Sequence, residues 1–325
     1  MTAPLVSVVI PTHNRLVMLA QTLHTVLAQE VDLEVIVVDE ASTDGTSSWL
    51  SRLRDPRIRS IRHERPRGLP RARNAGLARA RGAWVAFVDD DDLWLPDKLQ
   101  AQLAAAQGRD RVWAYGGALD ITSEPNLLRV VDPDPTEARW LPWRNVVPGG
   151  GSNVVATRDA LEAAGAFDET LKSVEDWDLW IRLGQVSPPA VVARPVMAYR
   201  IHAGNMSKKV DVMIGSIAVL DRRYRGLRGG DAIDWDDAYR WLGAAALRSG
   251  DRQAARRLAS EARRSGHPGA VRRYLRASLP IPVRLPVNSE LAQRTLLDRL
   301  RPRALVPWPV GTEDWLRRTL DVTPG

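Results

Sequence analysis

Short β-branched runs alternate with amphipathic stretches along the first hundred residues. Val6-Ser-Val-Val-Ile10 ends at Pro11 and reads as a buried strand. Leu16, Leu19, Leu23 and Leu27 keep helical spacing between Arg15 and Ala28, and Thr12-His13-Asn14 offers capping side chains before them. Leu33 to Asp39 repeats the strand pattern, Ala41 to Gly45 is turn chemistry, and a short helix comes next, through Leu53. Ile58 to Ile61 predicts a third strand and Arg71 to Ala80 a helix. A fourth strand, Ala83-Trp-Val-Ala-Phe-Val88, then runs into Asp89, and Pro96 suits a helix start. Strands alternating with helices predict an α/β fold, its sheet mainly parallel and covered on both faces.

Beyond position 122 the pattern loosens. Residues 123–152, rich in Pro, Gly and Trp, read as loops over a site. Asn153 to Ala156 is apolar, Arg158 to Ala164 and Glu175 to Leu183 are helical, and Ala190 to Arg200 is a strand-like end to this domain. From about Val210 the chain turns into Arg- and Ala-rich helices, with a helical hairpin expected over Trp241 to Ser249 and Arg252 to Arg264. It is similar to a single tetratricopeptide-like unit. Prolines 280, 282, 286, 302, 307 and 309 interrupt the chain after this hairpin, and a short last helix is expected near Trp308 and Trp315. The expected division is a catalytic domain over 1–209 and an Arg-rich helical region over 210–325.

Two acidic clusters carry the chemistry. Asp89 to Asp92 places four carboxylates at the tip of the fourth strand, where α/β folds bind ligands. Their repulsion is relieved by a hard cation, and Mg²⁺ typically takes one or two carboxylates together with substrate phosphates. Glu175-Asp176-Trp177-Asp178 is the second cluster, at a helix start, where acids also suit the helix dipole. A carboxylate near a metal-diphosphate can act as general base toward a hydroxyl. Asp39, at the tip of the second strand, can accept hydrogen bonds from a nucleobase or ribose. Pro11, Thr12 and Asn14 stand at the first tip, beside where a nucleotide would lie. Arg73 can pair with a diphosphate or position the acidic cluster. No Walker-type loop and no dinucleotide fingerprint is present, so phosphate binding falls to metal and arginine.

Composition narrows the classes. There are no cysteines, which removes disulfides, zinc-thiolate sites and cysteine nucleophiles, and fits a reducing compartment. No secretory leader or long apolar stretch is visible, so a cytoplasmic protein is expected. The net charge of +7 is uneven: residues 211–325 hold 21 Arg, no Lys and 13 acids, or +8. That surface favours an anionic partner, and a peripheral contact with the inner membrane face is the sharper expectation. Nucleic acid is not expected, since no reading motif accompanies the charge.

Five stretches in this order resemble the family-2 glycosyltransferases of GT-A fold. They are Val8-Val9-Ile10-Pro11-Thr12-His13-Asn14-Arg15, Val37 to Thr46, Ala72-Arg73-Asn74-Ala75-Gly76, Phe87 to Asp92, and Gly165-Ala166-Phe167-Asp168 with Glu175 to Trp180. The likeness covers about residues 4–205. It implies a mixed, mainly parallel sheet and inverting transfer of a sugar from a nucleotide-sugar to an acceptor hydroxyl. Carried over by motif, Asp39 contacts the base, Asp89 and Asp91 form a metal-binding Asp-x-Asp, and Asp90 shares nucleotide-sugar contacts. Asp176 is the base and Glu175 its neighbour, while His202 corresponds to a histidine near the metal. Mg²⁺ or Mn²⁺ is implied, with a UDP-sugar as the donor by the family's habit. The acceptor is a glycan, lipid carrier or metabolite. Glu40 departs from the pattern, which often has aspartate there. Two alternatives remain at this level: an inactive nucleotide-sugar-binding module of the same fold, and a sugar nucleotidyltransferase.

Overall fold

The computed structural model describes residues 4–122, 126–202, 210–248, 250–267, 308–309 and 311–324. Strands β1 (Val6–Thr12), β2 (Leu33–Asp39), β3 (Ile58–Arg62) and β4 (Trp84–Phe87) run parallel in the order β3-β2-β1-β4. The sheet continues through β8 (Val155–Thr157), β6 (Trp113–Thr122), β9 (Ala190–Ile201) and β5 (Leu93–Trp94), with β7 (Leu127–Val131) beside β6. The pairs β4–β8, β6–β8, β5–β9 and β6–β7 are antiparallel. The expected mixed α/β architecture is therefore present, with its parallel half at the N-terminal end.

Alternation along the strands explains the layers. Val8, Ile10, Val35, Val37, Trp84 and Ala86 point into one core, packed by α1 (Leu16–Leu27), α2 (Thr46–Arg52) and α4 (Lys98–Gln107). Val9, Ile36, Val38, Val85 and Phe87 point into the other, under α3 (Leu69–Leu77), α5 (Arg158–Ala163) and α6 (Glu175–Val186). Successive residues serve opposite faces, so the runs are apolar throughout.

One reading of the sequence is corrected and one strand is added. Residues 123–152 are not all loop, because Leu127-Leu-Arg-Val-Val131 forms β7; its β-branched and apolar residues outweigh the surrounding Pro and Gly. Leu93-Trp94, which no pattern in the sequence marks as a strand, pairs with Met197 and Ala198. Only its partner, a hundred residues away, makes so short a strand visible.

The chain forms two compact units, one of residues 1–200 with 310–325 and one of residues 201–309. In the first, α10 (Thr312–Leu320) returns to α1, where Gln21 Nε2 donates to the Leu320 carbonyl at 2.7 Å. The final helix thus departs from a boundary drawn at 209/210. In the second unit are α7 (Val210–Arg223), α8 (Trp235–Arg248) and α9 (Arg252–Arg264). The hairpin exists, but α8 begins six residues before Trp241. Prolines 280, 282, 286, 302 and 307 lie outside the described residues. Among the described residues no helix is long and apolar enough to cross a membrane.

Candidate active site

The tips of β1, β2 and β4 lie at one edge because the parallel register aligns them: Thr12 faces Asp39, and Val9 faces Phe87. Polar side chains just beyond those tips therefore converge. Asp39 is buried, accepts from the Ser42 amide at 2.8 Å, and pairs with Arg62. Asn14 is exposed; its Oδ1 accepts from the Thr43 amide at 2.6 Å and so ties the first loop to the second. Asn14 and Ala41 both hold left-handed backbones, φ 55° and 59°, a strained geometry that clusters at functional sites.

Glu40 explains its own departure from the family pattern. Its Oε2 accepts from the amides of Arg67 and Gly68 at 2.6 and 2.7 Å, and Oε1 meets His63. The longer side chain reaches across to hold the loop that enters α3. Asp44 is likewise structural: it accepts from the Leu16 amide at 3.0 Å and from the Thr46 hydroxyl at 2.6 Å.

The four-acid run divides by direction. Asp90 turns toward β1, accepting from Thr12 Oγ1 at 2.7 Å and from Arg15 Nη1 at 2.8 Å. Burial, with Asp91 beside it, pushes its carboxyl up to about 7 despite Arg15. Asp91 accepts from the same Arg15 Nη1 at 2.6 Å. Asp92 is fully buried; it accepts from Ser152 Oγ at 2.5 Å and from the Arg200 amide at 3.1 Å. Burial, then Asp91 and Asp89, hold its carboxyl well above the usual range. One oxygen from each of Asp89, Asp91 and Asp92 lies within 4.8 Å of the others. This hard-oxygen donor set fits Mg²⁺ or Mn²⁺. Asp89 and Asp91 thus come together as expected. Asp92 joins them, and its bonds to Ser152 and Arg200 make it also part of the scaffold. His202 is half-buried and stands at the start of the second unit, one residue beyond β9.

Arg73 connects this cluster to the second one. It is 2% exposed; Nη2 donates to Asp89 at 2.6 Å and Nη1 to Glu175 at 2.8 Å. Its guanidinium carbon lies 5.2 Å from the centroid of the Phe167 ring. Of the two uses open to Arg73, positioning the acids is the one these contacts display. Burial pushes Glu175 up to about 7, opposed by Arg73 and reinforced by Asp176. Asp176, half-buried, is raised by burial against the pull of Arg73. Its Oδ1 accepts from the Trp177 amide at 2.7 Å. Asp178 is occupied elsewhere, bonded to Arg182 at 2.5 Å. Val174, immediately before the helix, is left-handed at φ 53°, which a β-branched residue adopts only under constraint.

Sequence reasoning missed the wall between the clusters. A Cβ added at Gly150 would sit 2.9 Å from Asp176 Oδ2, and one at Gly151 would sit 2.7 Å from Arg73 Nη2. Gly149 and Gly150 also take positive φ, 71° and 59°. Three successive glycines were the available signal: they permit both the turn and the close approach. Ser152 comes next, its hydroxyl also accepting from the Asp89 amide at 3.0 Å.

Residues 7–161 match the family described as "Glycosyl transferase family 2", and residues 135–229 match "Glycosyltransferase like family 2". The succinoglycan biosynthesis protein ExoO of Rhizobium meliloti is 34% identical over 241 residues, covering 68% of this chain and 69% of that one. The chain belongs to glycosyltransferase family 2. It is accordingly a glycosyltransferase enzyme. TuaG of Bacillus subtilis, named for teichuronic acid biosynthesis, is 41% identical over 117 residues; the match spans 35% of this glycosyltransferase and 46% of TuaG. The fold is shared with the mannosyltransferase PcManGT of Pyrobaculum calidifontis, solved with GDP-Man and Mn²⁺. That likeness has a TM-score of 0.53 at 19% identity and covers 92% of this chain and 84% of the other.

Proposed function

We propose that this glycosyltransferase moves a sugar, with inversion, from a nucleoside diphosphate to an acceptor hydroxyl in the building of a polysaccharide. One observation carries the reading. Buried Arg73 is bonded at once to Asp89 and to Glu175, so the two acidic clusters meet at one place. Asp176 takes the acceptor proton while oxygen attacks the anomeric carbon. Its raised pKa makes it a stronger base than an exposed aspartate. Asp39 meets the nucleobase beside Pro11, Thr12 and Asn14, and Asp90 shares donor contacts. Asp89 and Asp91 would hold Mg²⁺ or Mn²⁺, which when bound would neutralise charge on the departing diphosphate. Uridine diphosphate is the proposed carrier. The names of ExoO and TuaG, both from polysaccharide biosynthesis, support the product class.

The test is slow hydrolysis of UDP- and GDP-sugars with Mn²⁺, read beside thermal shifts. Asp91→Ala should lose the Mn²⁺ shift, the nucleoside diphosphate shift and hydrolysis together. A variant that keeps all three removes Asp91 from the site, and a wild type that hydrolyses none of the donors sinks the transfer reading.

The proposed acceptor is carried at a membrane surface, which the enzyme reaches peripherally from the cytoplasm. In α9, Ala254, Ala255, Leu258, Ala259 and Ala262 are buried while Arg256, Arg257, Arg263 and Arg264 are exposed. Such a basic row suits anionic headgroups at roughly 1 kcal/mol per residue. Co-sedimentation with vesicles containing phosphatidylglycerol should fall with added salt and with Arg→Gln changes at these four positions. Binding that ignores both rules out this contact.

A further inference from the structure

Trp140 is left unexplained by the chemistry above. Its side chain is 39% exposed, the one aromatic among the large hydrophobics that the described residues leave in solvent. It ends a 3₁₀ turn, Pro135–Trp140, that is well fixed. Asp134 caps the turn by accepting from the Thr136 amide at 2.8 Å. The Trp140 carbonyl accepts from the amides of Trp143 and Arg144 at 2.8 and 2.9 Å. Trp143 packs edge-on, ring centroids 5.5 Å apart at 78°. The Arg139 guanidinium lies 5.3 Å from the Trp140 centroid. Leaving so large an apolar ring partly in water forgoes burial that packing would otherwise supply.

The anchoring of the turn points to its ligand. The next residue, Leu141, is 2% exposed, and its carbonyl accepts from Trp177 Nε1 at 2.8 Å. Trp177 directly follows Asp176. Nine residues after Leu141 the chain reaches Gly150, which abuts Asp176 Oδ2. The turn is therefore tethered at its C-terminal end to the helix that carries the base.

We infer that Trp140, backed by Trp143, is the stacking platform for a pyranose ring of the acceptor. A pyranose offers an apolar C–H face and a rim of hydroxyls. The indole takes the face, on the side of the ring that Arg139 does not cover, while Arg144, bonded to Glu137 at 2.9 Å, turns its remaining N–H donors to the rim. Flat aromatic contact selects a sugar ring over a simple alkyl alcohol. It leaves the choice among sugars to the polar groups around it. This inference rests on the assignment of Asp176 as the base.

Saturation-transfer NMR on the full chain tests it, with UDP and Mn²⁺ present. The probes are the methyl β-glycosides of glucose, galactose and N-acetylglucosamine. Wild type should saturate the ring C–H protons of at least one probe. Trp140→Ala should reduce that signal by about fivefold or more, and Trp140→Phe should keep most of it. Equal signal in Trp140→Ala overturns the platform, as does absence of signal for all three probes in wild type. Hydrolysis of UDP- and GDP-sugars with Mn²⁺, assayed separately, should be unchanged by Trp140→Ala. Its loss there would assign the ring to the donor and overturn the proposal. Failure of the transfer reading itself appears separately, as absent hydrolysis in the wild type.

Discussion

Asp176→Asn is expected to slow sugar transfer by roughly 10²–10⁴-fold, the usual worth of a general base. Donor binding should persist, because asparagine still accepts from the Trp177 amide where Oδ1 does now. Stability should hold or rise, since the change removes a carboxylate that burial already disfavours. Wild-type kcat/KM should fall as pH drops through the raised pKa of Asp176, because the protonated acid cannot take the hydroxyl proton. The acid limb therefore lies above the ordinary aspartate range, and Asp176→Asn should lack it. Transfer at the wild-type rate in the variant, measured beside its melting temperature, would remove Asp176 from the role.

The largest effect on stability is expected at Arg73. Arg73→Leu leaves Asp89 and Glu175 without their shared cation, and Glu175 is only 3% exposed. Breaking a buried pair this way costs about 3–5 kcal/mol. The deficit depends on pH, with a definite sign. Glu175 has a folded-state pKa of about 7, above its unfolded value. Its contribution is fully present below the unfolded pKa and is lost as pH rises through the folded one. Without Arg73 the folded value moves higher still, so the variant should lose more at pH 8 than at pH 5.5. Urea unfolding at the two pH values measures this. Adding Glu175→Gln should recover part of the loss at pH 8. A deficit that is equal at both pH values would mean that Glu175 does not depend on Arg73.

Much of this was legible in the chain. Strands β1, β2 and β4 were readable because burial on both faces makes each a continuous apolar run, and each ends in a charged or capping residue. The two acidic clusters were readable because like charges in sequence demand compensation. The features that escaped notice depend on contacts between distant segments. The two residues of β5 are a strand only because Met197 and Ala198 lie beside them. The reach of Glu40 to the Arg67 and Gly68 amides is a matter of one methylene, meaningful only once α3 is in place. The double role of Arg15, holding both Asp90 and Asp91, comes from a helix start folding under a strand tip seventy-five residues later. Gly149 to Gly151 looked like a loop because glycine carries no side chain to advertise what it abuts.

Val174 has a consequence for any attempt to harden this enzyme. A β-branched residue in the left-handed region holds about 1–3 kcal/mol of backbone strain. That tension sits one peptide before Glu175 and two before Asp176, at the start of the helix that carries both acids. Relieving that strain would favour heat tolerance and loosen the placement of Asp176, the proposed base. Robustness and catalytic precision therefore pull in opposite directions at a single residue.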